Sequence, residues 1–200
     1  MLPLFVRYLG RQRRLFLWFT MAVLVSLPFH QVAAADGETK PFDGKRGVIP
    51  GKIEAEHFDL GPPEVAYHDV DRENQGAEYR EKTEVDIEKR DDASNGHGLG
   101  WTKAGEWVWY SVHVKKSGRY SLTIPVASNR TGGTFHLEVG GKDITGPIHV
   151  PDTGGWDKLQ VLKVKKINLI KGNQRIKMIM DQEGASKSIG DIDCLIFESN

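Results

Sequence analysis

Two carboxylate pairs stand near the two ends of the strand-like part of the chain. Glu54 and Glu56 lie in Ile53-Glu54-Ala55-Glu56, and Asp191 and Asp193 in Asp191-Ile192-Asp193. In a β-strand, residues i and i+2 share a face, so each pair projects both acids to one side. Clustered carboxylate oxygens suit Ca²⁺, a hard cation that takes about 6–8 oxygen ligands. If the first and last strands lie side by side, the two pairs converge on one ion. The same spacing also fits solvated surface acids. A third alternative is a small glycoside hydrolase using Glu54, Glu56, Asp191 or Asp193, whose paired carboxyls would stand ~5–10 Å apart across a sugar ring. His57, His68, His97, His113, His136 and His149 are scattered without metal-binding spacing, and neither a Ser-centred nucleophile motif nor a phosphate-cradling glycine loop is present.

The tryptophans carry a different chemistry. Trp101 follows Gly96-His97-Gly98-Leu99-Gly100, and Trp156 follows Thr153-Gly154-Gly155. A large ring beside turn-forming sequence either packs under its own loop or stands free for a partner. A free indole offers a flat face for the C–H face of a pyranose, at low entropic cost. Trp107 and Trp109 belong to a strand, on the face opposite Val108 and Tyr110, where sheet-surface packing is expected.

The elements that must hold these residues are strands. Val108, Tyr110, Val112 and Val114 alternate with Trp107, Trp109, Ser111 and His113. The same period of two runs through Tyr120–Val126, Phe135–Val139 and Ile176–Met180. Turn clusters separate them: Lys116-Ser117-Gly118, Asn129 to Gly133, Gly140-Gly141-Lys142, Asp152 to Gly155 and Lys171-Gly172-Asn173. Short strands at regular spacing with glycine-rich turns predict an all-β antiparallel sandwich or barrel. Pro62 to Ser94 is rich in charge, and only Val65–Tyr67 and Thr83–Ile87 look strand-like there.

Arg7, Arg11, Arg13 and Arg14 precede an apolar run from Leu15 to about Phe29, and Ala33, Ala34 and Ala35 follow. These are the parts of a secretory signal peptide, predicted over residues 1–35, with export to an extracellular or periplasmic space and no membrane attachment after cleavage. Residues 36–50, rich in Gly, Pro and charge, read as a linker. Four of the 27 basic residues and none of the 27 acidic ones precede Asp36, so the remainder carries a net charge of about −4. That balance, without a basic stripe, argues against nucleic acid as a partner. The lone Cys194 cannot form an internal disulfide and is expected to be buried. An exported domain without disulfides draws its stability from its core or from a metal.

Five blocks, in order, resemble family 6 carbohydrate-binding modules. They are Ile53-Glu54-Ala55-Glu56-His57-Phe58, the segment Leu99 to Tyr110, Ser117-Gly118-Arg119-Tyr120-Ser121-Leu122, the segment Val150 to Trp156, and Asp191 to Phe197. The resemblance spans about Lys52 to Glu198. It implies a β-sandwich jelly roll over residues 51–198, with a structural calcium and a glycan site in the loops at one end. By motif position, Trp101 and Trp156 are the aromatic clamp and Asp191 the polar residue that hydrogen-bonds the sugar. The calcium carboxylates carry over to Glu54, Glu56 and Asp193, and Tyr79 is expected to border the glycan site. Where the family usually has Asn, this chain has Asp191, acceptor-only when ionised, and where it has Trp, this chain has Cys194. The implied function is non-catalytic binding of a plant or algal cell-wall type polysaccharide or oligosaccharide, by a chain that acts alone, is a fragment of a longer one, or works beside a separately encoded glycoside hydrolase. A structural domain for adhesion at the cell surface is a further alternative.

Overall fold

The alternating runs become two facing sheets. The structure, a computed structural model, describes residues 39–76 and 79–200; the predicted signal peptide lies outside the described residues. One sheet holds β1 (Gly47–Ile49), β3 (Tyr67–His68), β6 (Trp107–Val114), β8 (Thr134–Val139), β9 (Lys142–Asp143), β10 (Ile148–His149) and β12 (Gly172–Gln182). Its order is β1-β6-β12-β8-β10, with β3 also on β6 and β9 also on β8. The other holds β2 (Gly51–Glu54), β4 (Ile87–Lys89), β5 (His97–Leu99), β7 (Gly118–Ser128), β11 (Gly155–Leu169), β13 (Asp191–Ile192) and β14 (Cys194–Ser199). Its order is β2-β14-β7-β13-β5-β4, with β11 also on β7. The described residues contain no α-helix, only a short 3₁₀ turn at Phe42–Gly44. None of their helices is long and apolar enough to cross a membrane.

The core is what the period of two dictates. Val108, Tyr110, Val112 and Val114 are buried, as are Leu122, Ile124, Val126, Phe135, Leu137, Ile176, Met178 and Met180. Each such side chain contributes about 1.5–3 kcal/mol on leaving water. Tyr110 keeps its hydroxyl satisfied by donating to the Ala55 carbonyl at 2.8 Å. Cys194 is buried as expected. The stretch read as a linker is taken into the sandwich: Lys40 and Leu60 exchange backbone hydrogen bonds, and Gly47–Ile49 runs parallel to Val112–Val114 with Ile49 fully buried. A strand that short has no periodic signal to announce it.

Two pairings matter for function. The first and last strands are neighbours, with Cys194 opposite Glu54 in antiparallel register. β7 is flanked near one end by β13 and β11, with Asp191 opposite Ala127 and Gly155 opposite Ser128.

Candidate functional site

That second pairing delivers Asp191 and Trp156 to the same end of the sandwich from opposite sides of β7. The Trp156 loop is locked by Thr153, whose hydroxyl accepts from the Ser128 N–H at 2.9 Å and lies 3.0 Å from the Ser128 and Gly155 carbonyl oxygens. Trp101 arrives from the end of β5, itself paired to β13 through Leu99 and Ile192. Its segment is pinned to the chain before β13, where the Ile189 N–H donates to the Thr102 carbonyl at 2.9 Å and the Thr102 hydroxyl to the Gly190 carbonyl at 2.7 Å. Trp101 has φ of 47°, a left-handed backbone that a bulky residue adopts only where its surroundings enforce it. The result is a ring that is 41% exposed.

Trp101, Trp156, Glu88, Asp191, Lys103 and Ser188 line one cleft of about 390 Å³. Gly100 keeps its floor open: a Cβ there would stand 3.2 Å from the Glu88 Cβ and 3.5 Å from Asp191 Oδ1. Beneath the floor lies Arg90, its side chain 2% exposed. Its Nη1 donates to Asp191 Oδ2 at 2.7 Å and to Glu88 Oε2 at 2.8 Å; its Nη2 donates to the Trp156 carbonyl at 2.6 Å. Burial raises the Asp191 carboxyl well above the ordinary carboxylate range, with the Glu88 charge adding to the rise and Arg90 opposing it. At the rim, Lys103 Nζ donates to the Lys187 carbonyl at 2.7 Å. Chemically, the cleft is lined by two indoles, whose kind of surface suits C–H groups, and by carboxylates, which accept from hydroxyls.

The other acid pair gathers elsewhere. Ligand atoms of Glu54, Asp193 and Cys194 all lie within 4.8 Å of one another. Ser94, from the β4–β5 turn, ties two of them together: its N–H donates to Asp193 Oδ1 at 2.9 Å and its hydroxyl to Glu54 Oε2 at 2.5 Å. Glu56 is wholly buried, takes a bond from Asn95 on Oε1, and has no hydrogen-bond partner for Oε2 among the described residues. Burial pushes its carboxyl up to about 7.

Comparison with known proteins then separates what the geometry alone leaves open. A family model, described as carbohydrate binding module (family 6), matches residues 75–199. The chain belongs to this family. Over 86 residues the module is 33% identical to the clotting factor G alpha subunit of Tachypleus tridentatus; the match takes in 42% of this chain and 13% of that protein. It is similar in structure to a β-1,3-glucan-binding family 6 module of Bacillus halodurans, with a TM-score of 0.57, 21% identity, and coverage of 78% of this chain and 100% of that one. A module of Cellvibrio mixtus lichenase 5A, solved with cellotriose, gives a TM-score of 0.56, 22% identity, and coverage of 76% and 98%. At these identities the likeness is one of fold. Family membership gives the coarse function, non-catalytic binding of carbohydrate.

Within the module, the residues singled out from sequence fall into two groups. Trp101, Trp156 and Asp191 share the cleft, whereas Glu54 and Asp193 gather with Cys194 at the paired first and last strands, a group of ligand atoms that does not include Glu56. Tyr79 joins neither as expected. It does not line the cleft; its ring stacks on His97 with centroids 4.6 Å apart, and its hydroxyl is 3.1 Å from His57 Nε2. The cause is its neighbour Arg80, which donates to the carbonyls of Glu56 at 2.8 Å and Phe58 at 2.7 Å and lies 3.5 Å above the Phe58 ring, drawing this stretch toward the turn after β2. Trp107 and Trp109 are sheet-surface residues, covered by cations on β12: Lys177 Nζ is 4.0 Å from the Trp107 ring and the Arg175 guanidinium 4.2 Å from Trp109. Sequence reasoning missed Glu88 and Arg90. In Ile87-Glu88-Lys89-Arg90-Asp91-Asp92 they look like any solvated charge run.

Proposed function

We propose that the module binds a polysaccharide of plant or algal cell-wall type by clamping one sugar ring between Trp101 and Trp156, with Asp191 accepting from its hydroxyls. What carries this is the convergence of both indoles and a carboxylate floor on one open cleft. Stacking on each ring is worth on the order of 2 kcal/mol, the scale of a binding hot spot, or roughly 30-fold in affinity. Trp101→Ala and Trp156→Ala are therefore each expected to abolish retardation in native gels containing laminarin, barley β-glucan, xylan or agarose, with an unchanged melting curve. Retardation that survives both substitutions removes the clamp.

We also propose that Glu54, Glu56 and Asp193 hold a structural calcium ion. Two observations support this: Glu54 and Asp193 bring hard oxygens together across the first and last strands, and Glu56 Oε2 is a buried oxygen without a partner among the described residues. The ion would supply the charge that this buried cluster lacks. The chain is proposed to reach its polysaccharide by export, directed by residues 1–35.

A further inference from the structure

Arg90 is the residue through which the cleft is assembled. A guanidinium has five N–H donors in a rigid fork. Here all are engaged: Nε with Asp92 Oδ1 at 3.0 Å, Nη1 with Glu88 and Asp191, Nη2 with Asp92 Oδ2 at 2.9 Å and with the Trp156 carbonyl. Glu88 and Asp92 are local partners, whereas the other two come from distant parts of the chain, Trp156 lying 66 residues away and Asp191 101 residues away. The Arg90 backbone is itself fixed, its N–H donating to the Gly96 carbonyl at 2.8 Å in the β4–β5 turn. Gly98 makes room for the stem, since a Cβ there would come within 3.3 Å of the Arg90 Cδ.

We propose that Arg90 is a positioning residue for carbohydrate binding: by holding the Trp156 main chain and the Asp191 carboxylate on one rigid plane, it sets the distance between stacking ring and hydroxyl acceptor. The proposal rests on the clamp described above. Arg90 itself has no donor left for the ligand, so its effect on affinity passes through Trp156 and Asp191. A lysine in its place keeps a positive charge but not the fork, and cannot hold the Trp156 carbonyl and three carboxylates at fixed angles.

The test is a double-substitution cycle on the full chain, with affinity read from retardation in laminarin, barley β-glucan, xylan and agarose gels. Arg90→Lys is expected to weaken binding at least tenfold in whichever glycan retards the unaltered chain. In the Arg90→Lys background, Asp191→Asn should then cost at least threefold less than it does alone, because the carboxylate has already lost its fixed position. A merely structural arginine would lower the melting temperature and leave the two losses multiplicative. Asp92→Ala provides a variant that keeps the fold: Asp92 is 34% exposed, lies outside the cleft lining, and restrains two of the arginine's donors, so its removal should weaken binding about threefold. Full affinity in Asp92→Ala, or multiplicative losses in the cycle while Trp101→Ala still abolishes retardation, overturns the role of Arg90 and leaves the clamp standing. Undiminished retardation of Trp101→Ala and Trp156→Ala overturns the clamp and the role of Arg90 with it.

Discussion

Two clusters of buried or half-buried acids are resolved in opposite ways. At the cleft, Glu88, Asp92 and Asp191 surround Arg90, which meets all three with charged hydrogen bonds of 2.7–3.0 Å. At the paired first and last strands, Glu56 has His57 Nε2 3.5 Å from its Oε1, a ring that burial biases toward its neutral form, and the lysine within ion-pair distance among the described residues is Lys52. It is 41% exposed and touches Glu54 alone, at 2.6 Å. An unpaired buried carboxylate costs several kcal/mol, so the chain cannot leave such a cluster uncompensated without consequence. In the proposed clamp, a cluster that carries its own counter-charge would present a finished, rigid surface to a neutral sugar. The one that lacks it is where calcium is proposed to bind.

Removing the proposed calcium is the strongest way to break the comparison. With a dissociation constant on the order of 10 μM, 1 mM Ca²⁺ stabilises the native state by about 2.7 kcal/mol. For a domain of this size that is roughly 5–10 °C. Scanning calorimetry with and without chelator should show this shift, with sugar retardation at room temperature intact. Identical melting curves would show that Glu54, Glu56 and Asp193 hold no structural calcium.

Glu56→Gln sharpens the contrast at a smaller scale. Without calcium it removes a buried charge whose Oε2 has no partner among the described residues, and should raise the melting temperature by an amount equivalent to about 1–2 kcal/mol. With calcium it removes a ligand, and should lower it. The sign must therefore cross between the two conditions. A shift in the same direction in both would mean that Glu56 is not a ligand.

The two clusters were unequally legible from sequence, for a physical reason. Period-two alternation reports which face of a strand is buried, so Val108 to Val114 and Phe135 to Val139 could be placed directly, as could the shared face within each acid pair. Alternation does not report which strands are neighbours; the ordered family blocks supplied that for Glu54 and Asp193. Arg90 had no such signal. It stands between exposed Lys89 and exposed Asp91 and Asp92, and its guanidinium is held by Trp156 and Asp191, far off in the chain. Tyr79 was misplaced for the same kind of reason. Its position follows from Arg80 docking on main-chain carbonyls, which leaves no pattern in the residue order.

A third acid group provides the control. Glu106, Asp86 and Asp69 are buried, and each is held by a backbone N–H: that of Lys103 at 2.8 Å, of Gln75 at 2.6 Å and of Asp71 at 3.0 Å. Burial pushes them up to about 8, 7 and 6 respectively. Because the folded values lie above the ordinary ones, the native state binds protons more tightly than the unfolded chain. The stability these groups contribute is full below about pH 4 and is lost as pH rises toward 8. Glu106→Gln keeps the bond from Lys103 but cannot ionise, and should flatten this loss. Its gain at pH 8 is held to about 1 kcal/mol, because the Val70 N–H, which also donates to Glu106, loses an acceptor. The expected result is a melting temperature higher by roughly 2–4 °C at pH 8 and unchanged or slightly lower at pH 4.5. The gain should be the same with and without chelator, since no cation is asked to serve this group. A gain that vanished on adding calcium would show that a cation reaches Glu106 as well, and the distinction between self-neutralised and cation-seeking acids would have to be redrawn around it.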